Sequence, residues 1–444
     1  GWPTFRSAWS STVSNSGRGG AGYENPAFGL ADSVAGMSFE IRPLTSDSVA
    51  PFRAAVSATF GYDADLEDEA AAARFDAVFD LDRMYPAFDG DTIVGTGGDF
   101  ELTMTVPGGI QVSTSGLTII TVRPTHTRQG MLTAMMRAHY KKAMERGEPL
   151  GALWASEAPI YGRFGYGPSA LMSEVKLDAR HAGRGGNEPG VTVRLVDPDE
   201  AKTVLPEIYA RIQPSRPGMY QRTEDWWTHR LFADPEKHRG GASALRHAVA
   251  ESDGVPVGYM TYRQKASWDQ LSEGVIQIRE LLPVTDAGYR ALWYYAVDID
   301  LFPIVKYWNN PADDPLSVLL SNGRAVESKV TDGLWTRLID VPAALEQRRY
   351  DRDGSVTLGV SDSFCDWNEG TYRVSVDGGV AKCERVATES DVALDVSTLG
   401  ALYLGGRNAI GLARAGLIEG SPKGVARLDG LFRSSPQPWC PEIF

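Results

Sequence analysis

The fold of this chain turns on the stretch TIITVRPTHTRQGMLTAMM, Thr118–Met136. Its opening, Ile119-Ile120-Thr121-Val122, is β-branched without polar interruption and predicts a strand. Pro124 ends that strand, because proline has no N–H to give to a ladder. From Leu132 apolar residues recur at helical spacing through Met135, Met136, His139 and Ala143, with Arg137, Lys141, Lys142 and Glu145 on the other face. Between strand and helix lies Arg128-Gln129-Gly130. A strand that feeds a helix through a short glycine-containing loop aims its first unpaired backbone N–H groups outward. That arrangement suits an anion such as a pyrophosphate. An ordinary strand–helix turn would read the same way locally, so the rest of the chain has to decide.

The 444 residues are enough for about three domains at the usual ~150 residues each. An apolar content of 43% and an aromatic content of 10% predict globular units with real cores. No window approaches the ~18 uncharged apolar residues of a membrane span. Lys plus Arg number 44 against 57 Asp plus Glu, a net charge of -13. Such a field repels nucleic acid and favours cationic small molecules. The three cysteines, Cys365, Cys383 and Cys440, are widely spaced and form no CxxC. They fit neither a disulfide framework nor a zinc site, so no metal is expected and the reducing cytoplasm is the default compartment.

Residues 1–36 are rich in Gly and Ser, contain no lysine and show no periodicity. They predict a flexible extension, the alternative being an ordered arm anchored by Trp2, Phe5 and Trp9. They also lack the charged start and apolar core of a secretion signal. An alternating strand opens at Met37 (MSFEIRPL). A helix from Val49 to Phe60 and an acidic helical segment from Asp63 to Phe79 follow. Two glycine-punctuated strand runs, the opening motif with its helix, and the strand PLGALWASE complete a mixed α/β unit. A second unit begins at VTVRLVDPDEAKTVLPEIYARI, Val191–Ile212, with the same strand–turn–helix start. It contains a hairpin around Asp253-Gly254, and then an internal repeat of the opening motif. Placing Pro283 on Pro124 lays ELLPVTDAGYRALWYY over TVRPTHTRQGMLTAMM, so that Ala287 replaces Arg128 and Tyr289 replaces Gly130. A ring where backbone must approach phosphate predicts a repeat that has lost the chemistry. From about Tyr350 the pattern is one of short alternating strands, SVTLGVSD, TYRVSVDGGVAKCERV and VALDVSTL, which predict an antiparallel sheet followed by two helices.

Val122 to Gly130, V-x-P-x-x-x-R-x-G, resembles the acetyl-coenzyme-A loop of GNAT N-acetyltransferases. The resemblance becomes specific with four further features. They are Ala155-Ser156-Glu157 followed by IYGRFGYG (Ile160–Gly167), DGLWTRLIDVPAALEQRRY (Asp332–Tyr350), LYLGG (Leu402–Gly406) and a final phenylalanine. Together they resemble the Eis (enhanced intracellular survival) family of acetyltransferases from Met37 to Phe444. The resemblance implies an α/β (α+β) chain of tandem GNAT domains, the second degenerate, followed by a sterol-carrier-protein-2-like domain. The expected bounds are 37–190 for the catalytic domain, 191–345 for the degenerate one and 346–444 for the last. It further implies a homohexamer that uses acetyl-CoA to acetylate small-molecule or peptide amines, including aminoglycosides, polyamines and lysine side chains.

Amine acetylation needs a seat for the thioester, a base for the ammonium proton and an acid for the departing thiolate. Ile120, Thr121 and Val122 would offer backbone to the cofactor's amide arm. Arg128, Gln129, Gly130, Met131, Leu132 and Thr133 would hold its pyrophosphate, with Ser156 and Glu157 beside it. Thr127 stands where the family often has another arginine, which implies a weaker hold. Tyr161 and Tyr166 are both candidate acids, since a phenol of pKa ≈ 10 is protonated at neutral pH, and the family match selects Tyr161. For the base the side chains offer His126 and Glu157; the family implies the terminal carboxylate, on Phe444. The substrate pocket is expected from Phe60, Asp63, Phe75, Thr118 and Trp154, the last narrowing it where the family can carry a smaller side chain. A second reading, a non-enzymatic lipid or sterol carrier using only the C-terminal domain, does not need Arg128, Gly130 or Tyr161.

Overall fold

The structure, a computed structural model, describes residues 39–62, 68–183 and 186–444. The expectation for 1–36 and that for Asp63 therefore lie outside the described residues. Among the described residues three sheets carry the fold, two of seven strands and one of five, with a short two-stranded hairpin besides. Among the described residues no helix is long and apolar enough to cross a membrane.

The first sheet is built on the long hairpin Thr92–Val106 and Ile110–Val122, joined at its far edge by Leu150–Trp154. The amphipathic helix Met131–Glu145 lies against it and buries Met135, Met136, His139 and Ala143 as its spacing predicts, with Met131 and Tyr140 besides, while Leu132 is only half-buried. On the other face the helices Val49–Thr59 and Glu69–Val78 pack through Phe52 and Phe75. Asp68 starts the second of these by accepting from the Ala71 N–H at 2.8 Å. Of the opening strand, the described residues pair only over Glu40–Ile41, and its expected continuation to Leu44 is not strand.

The second sheet repeats this plan with Arg246–Ser252, Val255–Lys265, Val275–Pro283 and Ile304–Pro311, and the helix Asp286–Val297 between the last two. The two sheets exchange strands. Leu171–Asp178, inside the expected first unit, pairs antiparallel with Ile304–Pro311 in the second sheet. Leu334–Leu338, from the end of the expected second unit, pairs antiparallel with Leu150–Trp154 in the first. Linear boundaries cannot express such an exchange, because each strand satisfies its ladder in the other unit's sheet.

The C-terminal sheet is not wholly antiparallel, contrary to the expectation. Gly354–Ser361 pairs antiparallel with Gly370–Asp377 but parallel with Val392–Asp395. The sequence VALDVSTL is also not one strand. Asp395 accepts from the Thr398 N–H at 2.7 Å and starts the helix Val396–Tyr403. Cap chemistry overrides the local alternation there. Arg337 and Asp362, both fully buried, tie this unit to the first sheet through a 2.6 Å contact. Removing either partner would strand a buried charge at a cost of about 3–5 kcal/mol.

Candidate active site

Parallel pairing between Ile110–Val122 and Leu150–Trp154 covers only Thr114/Leu150, Ser115/Gly151 and Gly116/Ala152. Beyond Gly116 the two strands part, and a fork opens between them. Ile119 marks the start of the divergence with φ 47, opposite a break in register at Thr96/Gly98. Thr96 steadies this bend by donating to the Ile119 carbonyl at 2.8 Å. The Arg123 N–H donates to Val94 on the hairpin side. Strand backbone groups alternate between neighbours, so Val122 and Ile120 turn theirs toward the fork. Thr121 belongs to the interior instead, its hydroxyl 2.6 Å from that of Thr96.

The loop that follows holds two residues in the left-handed region, Arg128 at φ 63 and Gly130 at φ 82. Gly130 is the N-cap of a 15-residue helix and no side chain caps that end. The first-turn N–H groups of Met131, Leu132 and Thr133 therefore face outward with the positive end of the helix. The Met131 side chain is not part of this surface, because it is buried against Gly95, where a Cβ would meet its sulfur at 2.6 Å. His126, a candidate base from sequence, sits 3.3 Å from Asp89 and 2.8 Å from the Thr125 hydroxyl.

The second unit's counterpart is shorter than the Pro283/Pro124 register implies. Its strand ends at Pro283 and its helix begins at Asp286, capped by Thr285, which accepts from the Gly288 N–H at 3.0 Å. Thr285, not Tyr289, thus stands at the position of Gly130. The Val284 N–H is already paired with the Val257 carbonyl at 2.8 Å, and Tyr289 donates to Asp314 at 2.7 Å. No eight-residue loop remains to cradle an anion.

Tyr161 ends the single helical turn Ala158–Tyr161 and is buried in a cluster with Leu117, Leu153, Met136 and Tyr140. Burial pushes its phenol up, the Ser156 hydroxyl works in the opposite sense, and the Glu157 charge adds to the rise. Tyr166 lies 6.3 Å away ring to ring and is more deeply buried. Its hydroxyl is 3.2 Å from His139 Nε2, whose Nδ1 is 3.4 Å from Asp99. Burial works against ionisation of Asp99, yet His139, Arg146 and Tyr85 outweigh it and hold that carboxyl below the ordinary range. Arg83 closes the cluster, bonding Asp99 at 2.5 Å and Glu148 at 2.6 Å. Tyr166 is thereby engaged in a buried network, whereas Glu157 is exposed.

Phe444 is 6% exposed and sits on the opposite face of the sheet from Tyr161. A Cβ on Gly116 would come within 3.2 Å of its ring, so the tail ends beside the last paired residue before the fork. Around it stands an aromatic box: Phe100 at 6.5 Å and Tyr220 at 5.7 Å, both edge-on, with Trp226 edge-on to each of those two. Phe79 stacks on Phe75 at 4.2 Å and tilts against Phe100 at 4.7 Å. Phe60 packs on the same cluster. Thr118 is half-buried opposite Gly98, and Trp154 leans on Trp308 at 6.2 Å. The box thus joins Phe75 and Phe60 to residues that sequence reasoning missed. Tyr220, Trp226 and the π-helical turn Trp227–Leu231 come from the second unit. Only the paired tryptophans could have drawn notice, and nothing in their spacing ties them to Gly116.

Family models for an acetyltransferase (GNAT) domain match residues 40–169 and, in a second version, residues 218–338, and a sterol carrier protein domain matches residues 341–441. An uncharacterized N-acetyltransferase of Streptomyces avermitilis is 38% identical over 92% of this chain and 100% of its own length. N-acetyltransferase Eis of Mycobacterium tuberculosis is 34% identical over 78% of this chain and 84% of its own. Among solved structures, Eis1 from Mycobacterium abscessus superposes with a TM-score of 0.78 at 32% identity, covering 91% of this chain and 100% of that one. A GCN5-related N-acetyltransferase from Anabaena variabilis, at 16% identity and a TM-score of 0.79, shares the fold.

Proposed function

Because the chain belongs to the Eis family of GNAT N-acetyltransferases, we propose that it transfers the acetyl group of acetyl-CoA to the amine of a cationic small molecule or a lysine side chain. The observation that carries this reading is the bracketing of one fork from both faces. Phe444 reaches it at Gly116, and Tyr161 shares a core cluster with Leu117, the next residue along the same strand. Successive strand residues face opposite sides, so the Phe444 ring and Tyr161 lie on either side of the strand where it parts from its neighbour, and the reading takes them as base and acid.

The residues fit the cofactor. Ile120 and Val122 offer free strand backbone, and the helix end at Gly130, with the Arg128 cation beside it, offers N–H groups for a pyrophosphate. Acetyl-CoA, when bound, supplies a thioester. The Phe444 carboxylate takes the proton that the attacking amine must lose. Tyr161 stays protonated at neutral pH, since burial raises it, and gives its proton to the sulfur as the C–S bond breaks. The aromatic walls suit the alkyl body of a polyamine or aminoglycoside and offer ring faces to its charge. A homohexamer is proposed from the family resemblance alone, and a light-scattering mass of one chain would contradict it. The carrier reading is not favoured, because a scaffold has no use for an uncapped loop in the first unit that the second has lost.

The test is coenzyme A release over a panel of polyamines, aminoglycosides and lysine peptides. Tyr161→Phe should lower turnover roughly 10²-fold or more, the scale of a lost general acid, with acetyl-CoA affinity unchanged. If no amine releases coenzyme A, or if Tyr161→Phe is as fast as the parent, the proposal fails.

A further inference from the structure

The second unit has a fork of its own, and the chain's tail runs across it. Parallel pairing between Val275–Pro283 and Ile304–Pro311 stops at Ile278/Tyr307, as pairing in the first unit stops at Gly116/Ala152. The freed backbone is taken up internally. The Leu281 N–H donates to the Tyr307 hydroxyl at 3.3 Å. Asn309, fully buried, donates to the Cys440 carbonyl at 2.9 Å and accepts from the Trp439 indole at 3.2 Å. Trp439 is buried in the second unit's core, and its N–H donates to the Pro217 carbonyl at 2.8 Å. Its backbone presses on Gly218, where a Cβ would come within 2.9 Å of the Trp439 carbonyl oxygen.

Two guanidinium groups continue the contact toward the site. Arg222, its side chain buried, bonds Glu442 at 2.7 Å and Glu280 at 2.5 Å, and lies 3.9 Å over the Tyr209 ring. Arg230 donates to the Ile443 carbonyl at 2.9 Å and lies 4.4 Å over the Trp226 ring. Among the described residues Arg230 makes no ion pair, so its fixed partners are the tail's last peptide and the aromatic box. Pro436, Pro438 and Pro441 stiffen the segment and reduce the entropy lost when it docks. Every contact from Trp439 to Ile443 named above is made by the second unit, while Cys440 and Phe444 also pack in the core cluster that holds Phe100 and Leu102 of the first.

We propose that the degenerate second unit is the receptor for the tail, with Arg222 and Arg230 as positioning residues that deliver Phe444 to Gly116. The lost loop and filled fork then have a use: a site that would take a cofactor arm holds a peptide of the same chain. The proposal rests on the reading of Phe444 given above for its catalytic consequence, but docking itself is measurable separately.

The experiment is amide hydrogen exchange by mass spectrometry on full-length Glu442→Gln and Arg230→Met. The first leaves Arg222 paired with Glu280 and the second leaves an unbranched apolar chain over Trp226, so neither strands a buried charge. Exchange at residues 439–444 should rise by about ten- to a hundredfold in both, as expected for one lost charge-assisted hydrogen bond. Exchange in Ile110–Val122 and the affinity for acetyl-CoA should hold, and turnover should fall with tail protection. Arg230→Lys, which keeps a charge and a donor, should restore part of both. Unchanged tail exchange in the two variants would overturn the proposal. Faster tail exchange with undiminished turnover would uphold docking while refuting Phe444 as the base.

Discussion

Gly116→Ala is the smallest change that tests whether the position of Phe444 matters. A methyl group there would stand 2.6 Å from Leu102 Cδ1, 3.0 Å from Leu102 Cγ and 3.2 Å from Phe444 Cε2. Carbon pairs rest at about 3.5–4.0 Å, so Leu102 must retreat by roughly 1 Å and the phenyl ring by about 0.4 Å. Leu102 is itself buried, so the strain spreads, and overpacking of this kind costs about 1–3 kcal/mol of stability. A misplacement of ~1 Å can cost 10²-fold in rate, so a shift of this size at the base should lower turnover about tenfold. The cofactor edge at Ile120 and Val122 is not displaced, so acetyl-CoA affinity by calorimetry should match the parent. Turnover is read as coenzyme A release at saturating acetyl-CoA and amine. If turnover stays within about twofold while the thermal midpoint falls by the several degrees such strain implies, the tail's position is irrelevant and the reasoning is wrong. A parallel loss of acetyl-CoA affinity would place the damage in the fork instead.

Calorimetric titration of acetyl-CoA should give one site per chain, abolished in Gly130→Trp; two sites would restore the second unit to function. Adding one glycine after Phe444 moves the carboxylate by up to ~3.6 Å and should remove most activity, while Phe444→Leu should be milder; equal activity in the extended protein would exclude the tail as base. Burial pushes the His247 imidazole down to about 4, partly offset by Asp234, against about 6.5 when unfolded. The unfolded chain therefore binds the extra proton first, and stability should fall as pH drops from about 6.5 to about 4, by at most about 3 kcal/mol. His247→Gln should flatten the thermal midpoint over that window, and an unaltered slope would mean that other groups set it.

The strand–loop–helix of Thr118–Met136 was legible because its parts are local. β-branching, a proline stop, a glycine and a 3.6-residue period each act over a few residues, and the helix buries the face that its spacing marks. The same locality explains the misses. VALDVSTL alternates like a strand, yet one capping hydrogen bond from Asp395 turns half of it into helix. In the repeat, the Pro283/Pro124 register matched residue types, but the loop is only Val284-Thr285, because Thr285 caps the helix at once. Tyr161 and Tyr166 could not be separated by sequence context alone; the His139–Asp99 network that engages one of them spans strands, helix and loop.

What the sequence determined alone was the class of each unit and the strand–loop–helix at Thr118–Met136, both consequences of short-range backbone chemistry. The strand exchange, the aromatic box and the path of the tail were decided only by tertiary structure. Tyr220, Trp226 and Arg230 lie more than 200 residues from Phe444, and Gly116 lies more than 300 away. No periodicity encodes such contacts. They arise when three hydrophobic surfaces, each uncommitted within its own segment, find their complement in the folded chain.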